Sequence, residues 1–278
     1  MNNKKSKYQQ PIEIAEGIHW VGFYDDEYFL HCNPFLIIEG EEAVLIDGGS
    51  RNDFSTVMLK ILQTGVNPNN IKKLIYHHYD PDLCGSIPDF EELIDNEELK
   101  ILSHTDNNLF IKYYGTDLKS ECIEKNDFQF QFLTGRKLKF IMTPYCHSSA
   151  SFVTFDEKTG TLFSSDLFGS TAKEWDLFAD LDESCHTCNN YNLSSPINCK
   201  LKKKECPISK ILFFHQKIMT SKKALDFALD RIRKLPIKII ASQHGSLIRG
   251  SKDIEFIINV LKKEKKIGIN QFFEDEQI

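Results

Sequence analysis

Long apolar runs are missing from this sequence. The longest stretches without a polar residue, Phe35–Ile38 and Ala43–Ile46 among them, are about four residues, against the roughly 20 that a membrane-spanning helix needs. No apolar segment sits within the polar N-terminus, Met1 to Gln10, so a secretory signal is not expected. An excess of positive charge is missing too. The 34 Lys and Arg stand against 40 Asp and Glu, a net charge of −6, which argues against nucleic acid as the main partner. There is no Gly-rich phosphate loop and no repeat at a solenoid period. Together these absences lead to the expectation of a cytoplasmic protein with neither membrane nor nucleic acid as partner. In that compartment the eight cysteines read as thiols or metal ligands before disulfides.

What is present supports a substantial core. Hydrophobic residues make up 41% of the chain and include 21 phenylalanines. The 278 residues are read as a single domain over 1–278. Ile18–Tyr24, Pro34–Glu39 and Ala43–Asp47 read as strands, and Phe54–Thr64 as a helix with Val57, Leu59, Ile61 and Leu62 as its apolar positions. A short buried strand, Leu74–Tyr76, precedes one helix over about residues 82–95, with Leu83, Ile87, Phe90 and Leu93 on one face. Ile101–Leu102 reads as a strand and Asn107–Tyr114 as a helix. A second block of strands follows: Phe128–Leu133, Leu138–Thr143, Phe152–Phe155 and Thr161–Ser164. Residues 167–207 form an irregular excursion. Helices near Ile208–Met219 and Ser221–Leu235, a strand Ile237–Ala241 and a helix Asp253–Lys265 complete the order, before a polar tail at about 270–278. Two blocks of strands with helices suit an α/β chain built as an αββα sandwich of two mixed sheets.

Six polar residues stand out. His78, Asp80 and Asp82 leave the buried strand at alternate positions, which point the same way while the backbone stays extended. Taken alone, that segment reads equally as a polar turn in which Pro81 starts a helix. His147, Asp166 and His244 each follow a strand at a turn signal, and each alone reads as an ordinary loop residue. Four such segments in this order point to a metal site instead. Three imidazoles and three carboxylates can hold two ions, and without a thiolate they suit iron or manganese at least as well as zinc. Asp47, after its own strand, reads as a structural residue under the loops.

With Asn33-Pro34-Phe35-Leu36-Ile37, Leu45-Ile46-Asp47-Gly48-Gly49 and Thr161-Leu162-Phe163-Ser164-Ser165-Asp166-Leu167-Phe168-Gly169, this set resembles the metallo-β-lactamase superfamily. It is most similar to the di-iron branch that includes flavodiiron proteins and oxygen-binding di-iron proteins, over roughly residues 12–250. The resemblance implies that His78, Asp80 and His147 hold one iron, Asp82 and His244 the other, and that Asp166 bridges them. Two departures matter. Asp80 stands where hydrolases of the superfamily carry His and flavodiiron enzymes carry Glu, and Leu83 stands where a His is usual. A third carboxylate favours iron over zinc, and three carboxylates offset three of the four charges of a diferrous pair. Leu83 cannot ligate, which leaves an open position for O2 against an apolar wall. Tyr79, Cys84 and Cys146 adjoin the ligands as candidates for that pocket or its surroundings, while His77 and Tyr79 are expected to point away from His78 where the segment is extended.

Cys185, Cys188, Cys199 and Cys206 lie in the excursion. The first pair has zinc-ligand spacing, so a structural Zn2+, a redox dithiol and free thiols all stay open. His215 reads as packed near the site.

Three functions follow from the resemblance. The first is a non-haem di-iron oxygen sensor, with Fe2+/Fe3+ as cofactor, O2 held as a peroxo-type adduct, and a signalling partner such as a chemoreceptor of bacterial chemotaxis. The chain continues only 34 residues past His244, so no flavodoxin-like domain is expected after it to feed electrons to the irons. The second is an O2 or NO reductase served by a separate flavoprotein or rubredoxin. The third is a zinc-dependent hydrolase, against which both Asp80 and Leu83 argue. Flavodiiron relatives pair head to tail, so a homodimer is an assembly the resemblance admits.

Overall fold

The computed structural model describes residues 7–24, 29–173, 175–188 and 206–273. A seven-stranded sheet runs in sequence order: β1 (Ile12–Ala15), β2 (Ile18–Trp20), β3 (Phe35–Glu39), β4 (Glu42–Ile46), β5 (Ile71–Ile75), β6 (Lys100–Ser103) and β7 (Ser120–Cys122). The first four pair antiparallel. From β4 to β7 the pairing is parallel, because helices occupy the crossovers that parallel strands require. These helices are α1 (Phe54–Gln63), α2 (Pro81–Cys84), α3 (Ile87–Leu93) and α4 (Thr105–Ile111). A second sheet of six strands contains β8 (Gln129–Gln131), β9 (Lys137–Met142), β10 (Phe152–Asp156), β11 (Thr161–Phe163), β12 (Ile239–Ala241) and β13 (Ile248–Arg249). Within it β8–β9 and β12–β13 are antiparallel and β11–β12 parallel, so both sheets are mixed. The remaining helices are α5 (Glu183–His186), α6 (Pro207–Ile218), α7 (Lys222–Ile232) and α8 (Ser251–Lys263).

The chain divides into two compact units, one drawn from Met1–Asp25, His31–Phe140 and Thr154–Thr159, the other from Asp26–Leu30, Ile141–Val153 and Gly160–Ile278. In the first unit, Leu36, Leu45, Leu74 and Ile101 of the sheet pack with Val57, Met58 and Ile61 of α1 and with Ile87 and Phe90 of α3. The buried stripe of α1 therefore runs through 54, 57, 58 and 61, the i, i+3, i+4, i+7 face of a helix. Leu59 and Leu62, expected inside, face solvent at 54% and 50% exposure. Lys60 takes a buried place between them. Its ammonium donates to the carbonyls of Tyr8 (2.6 Å) and Gly22 and lies 4.0 Å from the Trp20 ring centre.

The helix expected over 82–95 is two helices. Gly85 and Ser86 separate them, and Pro88 sits in the first turn of the second. A Cβ at Gly85 would press on the Pro81 carbonyl and the Arg51 amide, and the Ser86 hydroxyl donates to the Gly49 carbonyl (2.8 Å). That packing draws the chain out of helical continuation. Strands β1, β7 and β13 are too short or too polar to have shown in the sequence pattern.

Candidate metal centre

The parallel strands of the first unit place its polar residues at their C-terminal ends, the edge where open α/β sheets carry their sites. β4 ends at Ile46 and releases Asp47. β5 ends at Ile75 and releases His77 and His78. The ladder extends one step beyond each: Asp47 N–H donates to the Ile75 carbonyl (2.9 Å) and Tyr76 N–H to that of Leu102 (3.2 Å). Asp47 then clamps the segment. Its Oδ1 accepts the His77 backbone N–H (3.1 Å) and its Oδ2 meets the His77 ring Nδ1 at 2.6 Å. The other ring nitrogen, Nε2, meets Thr154 Oγ1 at 2.8 Å. Asp47, His77 and Thr154 copy the connectivity of a catalytic triad, yet His77 and Thr154 are fully buried. No substrate reaches that hydroxyl, so the chain of bonds is structural and fixes the segment that carries His78.

His78 is itself fully buried, with its Nδ1 3.8 Å from Asp80 Oδ1. Asp80 is extended (φ −73°, ψ 154°) and caps α2, which Pro81 opens. The alternation read from the sequence ends there. Asp82 belongs to the first turn of α2 and is placed by helix geometry. Leu83 and Cys84 pack in the core of the first unit. The Cys84 thiol lies 3.5 Å from the His78 carbonyl. Burial, then the charges of Asp47, Asp82 and Asp80, hold its pKa well above that of an ordinary thiol. Tyr79 stacks on Phe110, ring centres 4.5 Å apart, and its carbonyl accepts the Tyr114 hydroxyl (2.7 Å). One further ligand-type residue enters this neighbourhood, Cys32, whose sulfur and an Asp82 carboxylate oxygen lie within 4.8 Å of one another.

The second unit brings His147, Asp166 and His244 together. Asp166 and His244 follow the paired parallel strands β11 and β12, and the pairing continues past both ends. Ser164 N–H donates to Ala241 O (3.0 Å) and Gln243 N–H to Ser165 O (2.9 Å). His147 sits on a turn closed by Thr143 N–H to Ser151 O (2.9 Å), Tyr145 N–H to Ser148 O (2.8 Å) and Ser148 N–H to Ser151 Oγ (2.9 Å). The Asp166 carboxylate lies between two imidazoles: His147 Nε2 is 2.8 Å from Oδ2, and His244 Nε2 is 3.4 Å from Oδ1. Asp166 and His244 are almost fully buried, whereas the His147 side chain is 23% exposed. An ion held at about 2.0–2.2 Å by two ligands at a right angle separates their donor atoms by about 3 Å. The contacts of the two Asp166 oxygens with their imidazoles, 2.8 and 3.4 Å, lie near that spacing.

Backbone strain surrounds Asp166 and is held by specific bonds. Ser165 (φ 53°) and Phe168 (φ 66°) are left-handed, a conformation uncommon outside glycine. Ser164 Oγ donates to the Leu167 carbonyl (2.6 Å). The Phe168 N–H donates to His215 Nε2 (3.0 Å), while His215 Nδ1 faces the Ile211 carbonyl (2.7 Å). A ring that accepts at one nitrogen and donates from the other is neutral. Burial pushes its pKa down to about 4, against opposing effects of Ile211 and Asp166. His215 is thus a brace for the Asp166 turn. Gly245 (φ 76°), after His244, packs so closely on Ser170 that a Cβ would overlap its hydroxyl.

Cys146, beside His147, is buried, and burial pushes its thiol up to about 12. Of the excursion cysteines, Cys199 lies outside the described residues. Among the described residues, Cys185, Cys188 and Cys206 form no disulfide and do not appear in a cluster of metal-spaced donor atoms.

Comparison with known proteins identifies the family and the fold. The family described as ODP family beta lactamase matches residues 30–245, a span that contains all six ligand candidates. A putative diflavin flavoprotein A 2 of Synechocystis sp. is 27% identical over 217 residues, 78% of this chain and 33% of that protein. The anaerobic nitric oxide reductase flavorubredoxin of Pectobacterium atrosepticum is 25% identical over 255 residues, 86% of this chain and 45% of that protein. The chain thus spans a third to a half of the length of these relatives. A solved structure described as the peroxy diiron species of chemotaxis sensor ODP superposes with a TM-score of 0.72 at 20% identity, covering 94% of this chain and 97% of that one. The fold is therefore the metallo-β-lactamase-like αββα sandwich, and the chain belongs to the ODP family of beta-lactamase-like proteins.

Proposed function

We propose that this chain holds two iron ions and binds dioxygen as the input to a signalling partner. The observation that carries the reading is the Asp166 carboxylate, each of whose oxygens faces a different imidazole at the separation expected of ligands on one ion. In this reading His78, Asp80 and His147 hold the first iron, Asp82 and His244 the second, and Asp166 both. The donor set of nitrogen and hard oxygen fits iron. Bound, the iron pair supplies the affinity for dioxygen and the electrons it accepts.

The chain's own residues do the positioning. Asp47 and His77 fix the direction in which His78 projects, and neutral His215 holds the turn that presents Asp166. Leu83 offers no donor, so this segment leaves one coordination position of the second iron without an imidazole. Burial raises the thiol pKa of Cys84 and of Cys146; with Tyr79 they are close neighbours of the ligand segments.

The signalling role draws support from the likeness to a chemotaxis sensor, and in this reading the partner is a chemoreceptor. A second reading, an O2 or NO reductase with a separate electron donor, draws support from the identity with flavorubredoxins. Anaerobic loading with Fe(II), metal analysis and exposure to O2 under an absorption spectrometer separate them. Two irons per chain and a visible charge-transfer band that outlasts reductant removal support the sensor. Rapid bleaching, with sustained O2 or NO consumption once a rubredoxin is added, supports the reductase. No iron uptake, or preference for zinc, rejects both. The same metal analysis reports any zinc held by Cys185, Cys188, Cys199 and Cys206.

A further inference from the structure

Cys32 is absent from every ligand set considered so far. It lies in the first unit, 4% exposed, at the entry to β3, and its sulfur and an Asp82 carboxylate oxygen come within 4.8 Å of one another. Metal–sulfur at about 2.3 Å and metal–oxygen at about 2.0–2.2 Å span at most about 4.5 Å, so a small side-chain rotation is enough for the two donors to share an ion. The backbone carrying it is fixed on both sides. Asn33 Oδ1 accepts the Trp20 indole N–H (2.8 Å), Val21 N–H donates to the Pro34 carbonyl (3.0 Å), and the Cys32 carbonyl packs so closely on Gly22 that no Cβ fits there. Trp20 and Asn33 are both fully buried. The sulfur is therefore delivered to Asp82 by a rigid strand pair, which preorganises a ligand.

We infer that Cys32 ligates, as a thiolate, the metal ion held by Asp82, and supplies from another part of the chain the donor that Leu83 withholds. The inference rests on the di-iron reading above. Ligation replaces the S–H bond with a sulfur–metal bond and releases one proton to solvent, and no electron moves. The thiolate brings a fourth negative charge beside the three carboxylates, which balances the four positive charges of two divalent ions. A soft donor on one ion alone makes the two positions chemically unequal, so the site next to Asp82 gains affinity for thiophilic ions such as Co2+ or Zn2+ relative to its neighbour.

The test titrates the full metal-free chain with Co2+ under argon and follows the visible bands of bound cobalt and the near-ultraviolet thiolate-to-cobalt band. Wild type is expected to show both. Cys32→Ser, a change of one atom, is expected to keep visible cobalt bands, lose thiolate-band intensity and bind its last ion at least tenfold more weakly. Cys84→Ser is expected to leave the thiolate band unchanged. Peptide-mapped alkylation with iodoacetamide gives an independent readout: cobalt should protect Cys32 in wild type. Visible cobalt bands with an unchanged thiolate band in Cys32→Ser overturn the assignment, as does a Cys32 that is alkylated in the metal-free chain and equally alkylated with cobalt bound; both spare the di-iron reading. Absence of any cobalt band in wild type defeats the di-iron reading and the inference with it.

Discussion

Asp47 offers the sharpest test of how the fold aims a ligand. Asp47→Ala removes both acceptors of His77, whose backbone N–H and ring are fully buried. The ring bond to a carboxylate is charge-assisted and contributes about 1.5–3 kcal/mol, and the backbone bond about 0.5–1.5 kcal/mol. Asp47 also has φ 52°, a left-handed conformation that costs alanine about 1–2 kcal/mol more than it costs Asp or Asn. The expected loss is about 3–6 kcal/mol, a large part of a typical domain's total stability. Asp47→Asn keeps the conformation and the acceptor for the backbone N–H. The ring then changes tautomer, accepting from the new amide at Nδ1 and donating to Thr154 Oγ1 from Nε2, at a cost of about 1–2 kcal/mol. Urea unfolding of the metal-free protein at constant m-value measures both. Fe(II) affinity should fall about tenfold or more in the alanine variant, since His78 loses the support behind it. A stability loss below about 1 kcal/mol for Asp47→Ala, or equal losses for Ala and Asn, would refute the clamp.

Two further predictions concern the first unit. Arg136 and Asp156, side chains 1% and 0% exposed, form two parallel bonds of 2.9 and 2.8 Å. Asp156→Ala leaves the buried guanidinium with only Glu39 (3.0 Å) and the Glu16 carbonyl (3.2 Å) as partners and should cost about 3 kcal/mol in urea unfolding, while the double change Arg136→Met with Asp156→Leu should cost less; similar losses for both would sink that account. Lys60 is pushed down to about 7 from the ordinary 10.5 by burial. Between those values the unfolded chain binds the extra proton, so stability rises with pH from about 7 toward 10.5 and gains nothing from Lys60 below 7. Wild type should gain up to about 2 kcal/mol over Lys60→Met between pH 7 and 9, and parallel pH profiles would show that the two carbonyls and Trp20 offset the burial in full.

The ligand candidates were legible because each is a polar residue released where a buried strand stops, and a strand end is visible as the point where alternation or an apolar run breaks. The same logic failed wherever placement depends on tertiary packing. Extended alternation put Asp82 in line with His78 and Asp80, but Pro81 starts a helix and sets Asp82 by a different rule. In α1, counting apolar residues selected Leu59 and Leu62; which face turns inward is decided by the sheet beneath it, and Lys60 is buried against Tyr8, Gly22 and Trp20 instead. Cys32 gave no sequence signal at all. Its distance from Asp82 is created by the antiparallel pairing of β2 with β3 and of β3 with β4 and by the parallel pairing of β4 with β5, none of which leaves a spacing to read.

The charges around the ligand segments show a consistent economy. His215 is held neutral by burial and two directional bonds, and Cys84 and Cys146 are held as thiols by burial. Asp47 spends its charge on His77. The ionisable groups that brace the ligands are thereby kept from competing with them, because a neutral brace neither repels a cation nor attracts one away. That arrangement leaves the proposed ligands as the seat of negative charge available to a metal. It also explains why His77, adjacent to His78 and identical in type, is excluded from ligation: both of its ring nitrogens are already committed, one to Asp47 and one to Thr154. Removing Thr154's hydroxyl with Thr154→Val should therefore destabilise the protein without freeing His77 to bind metal, since the stronger bond to Asp47 still fixes the ring; iron stoichiometry above that of wild type in this variant would contradict the commitment of His77 to structure.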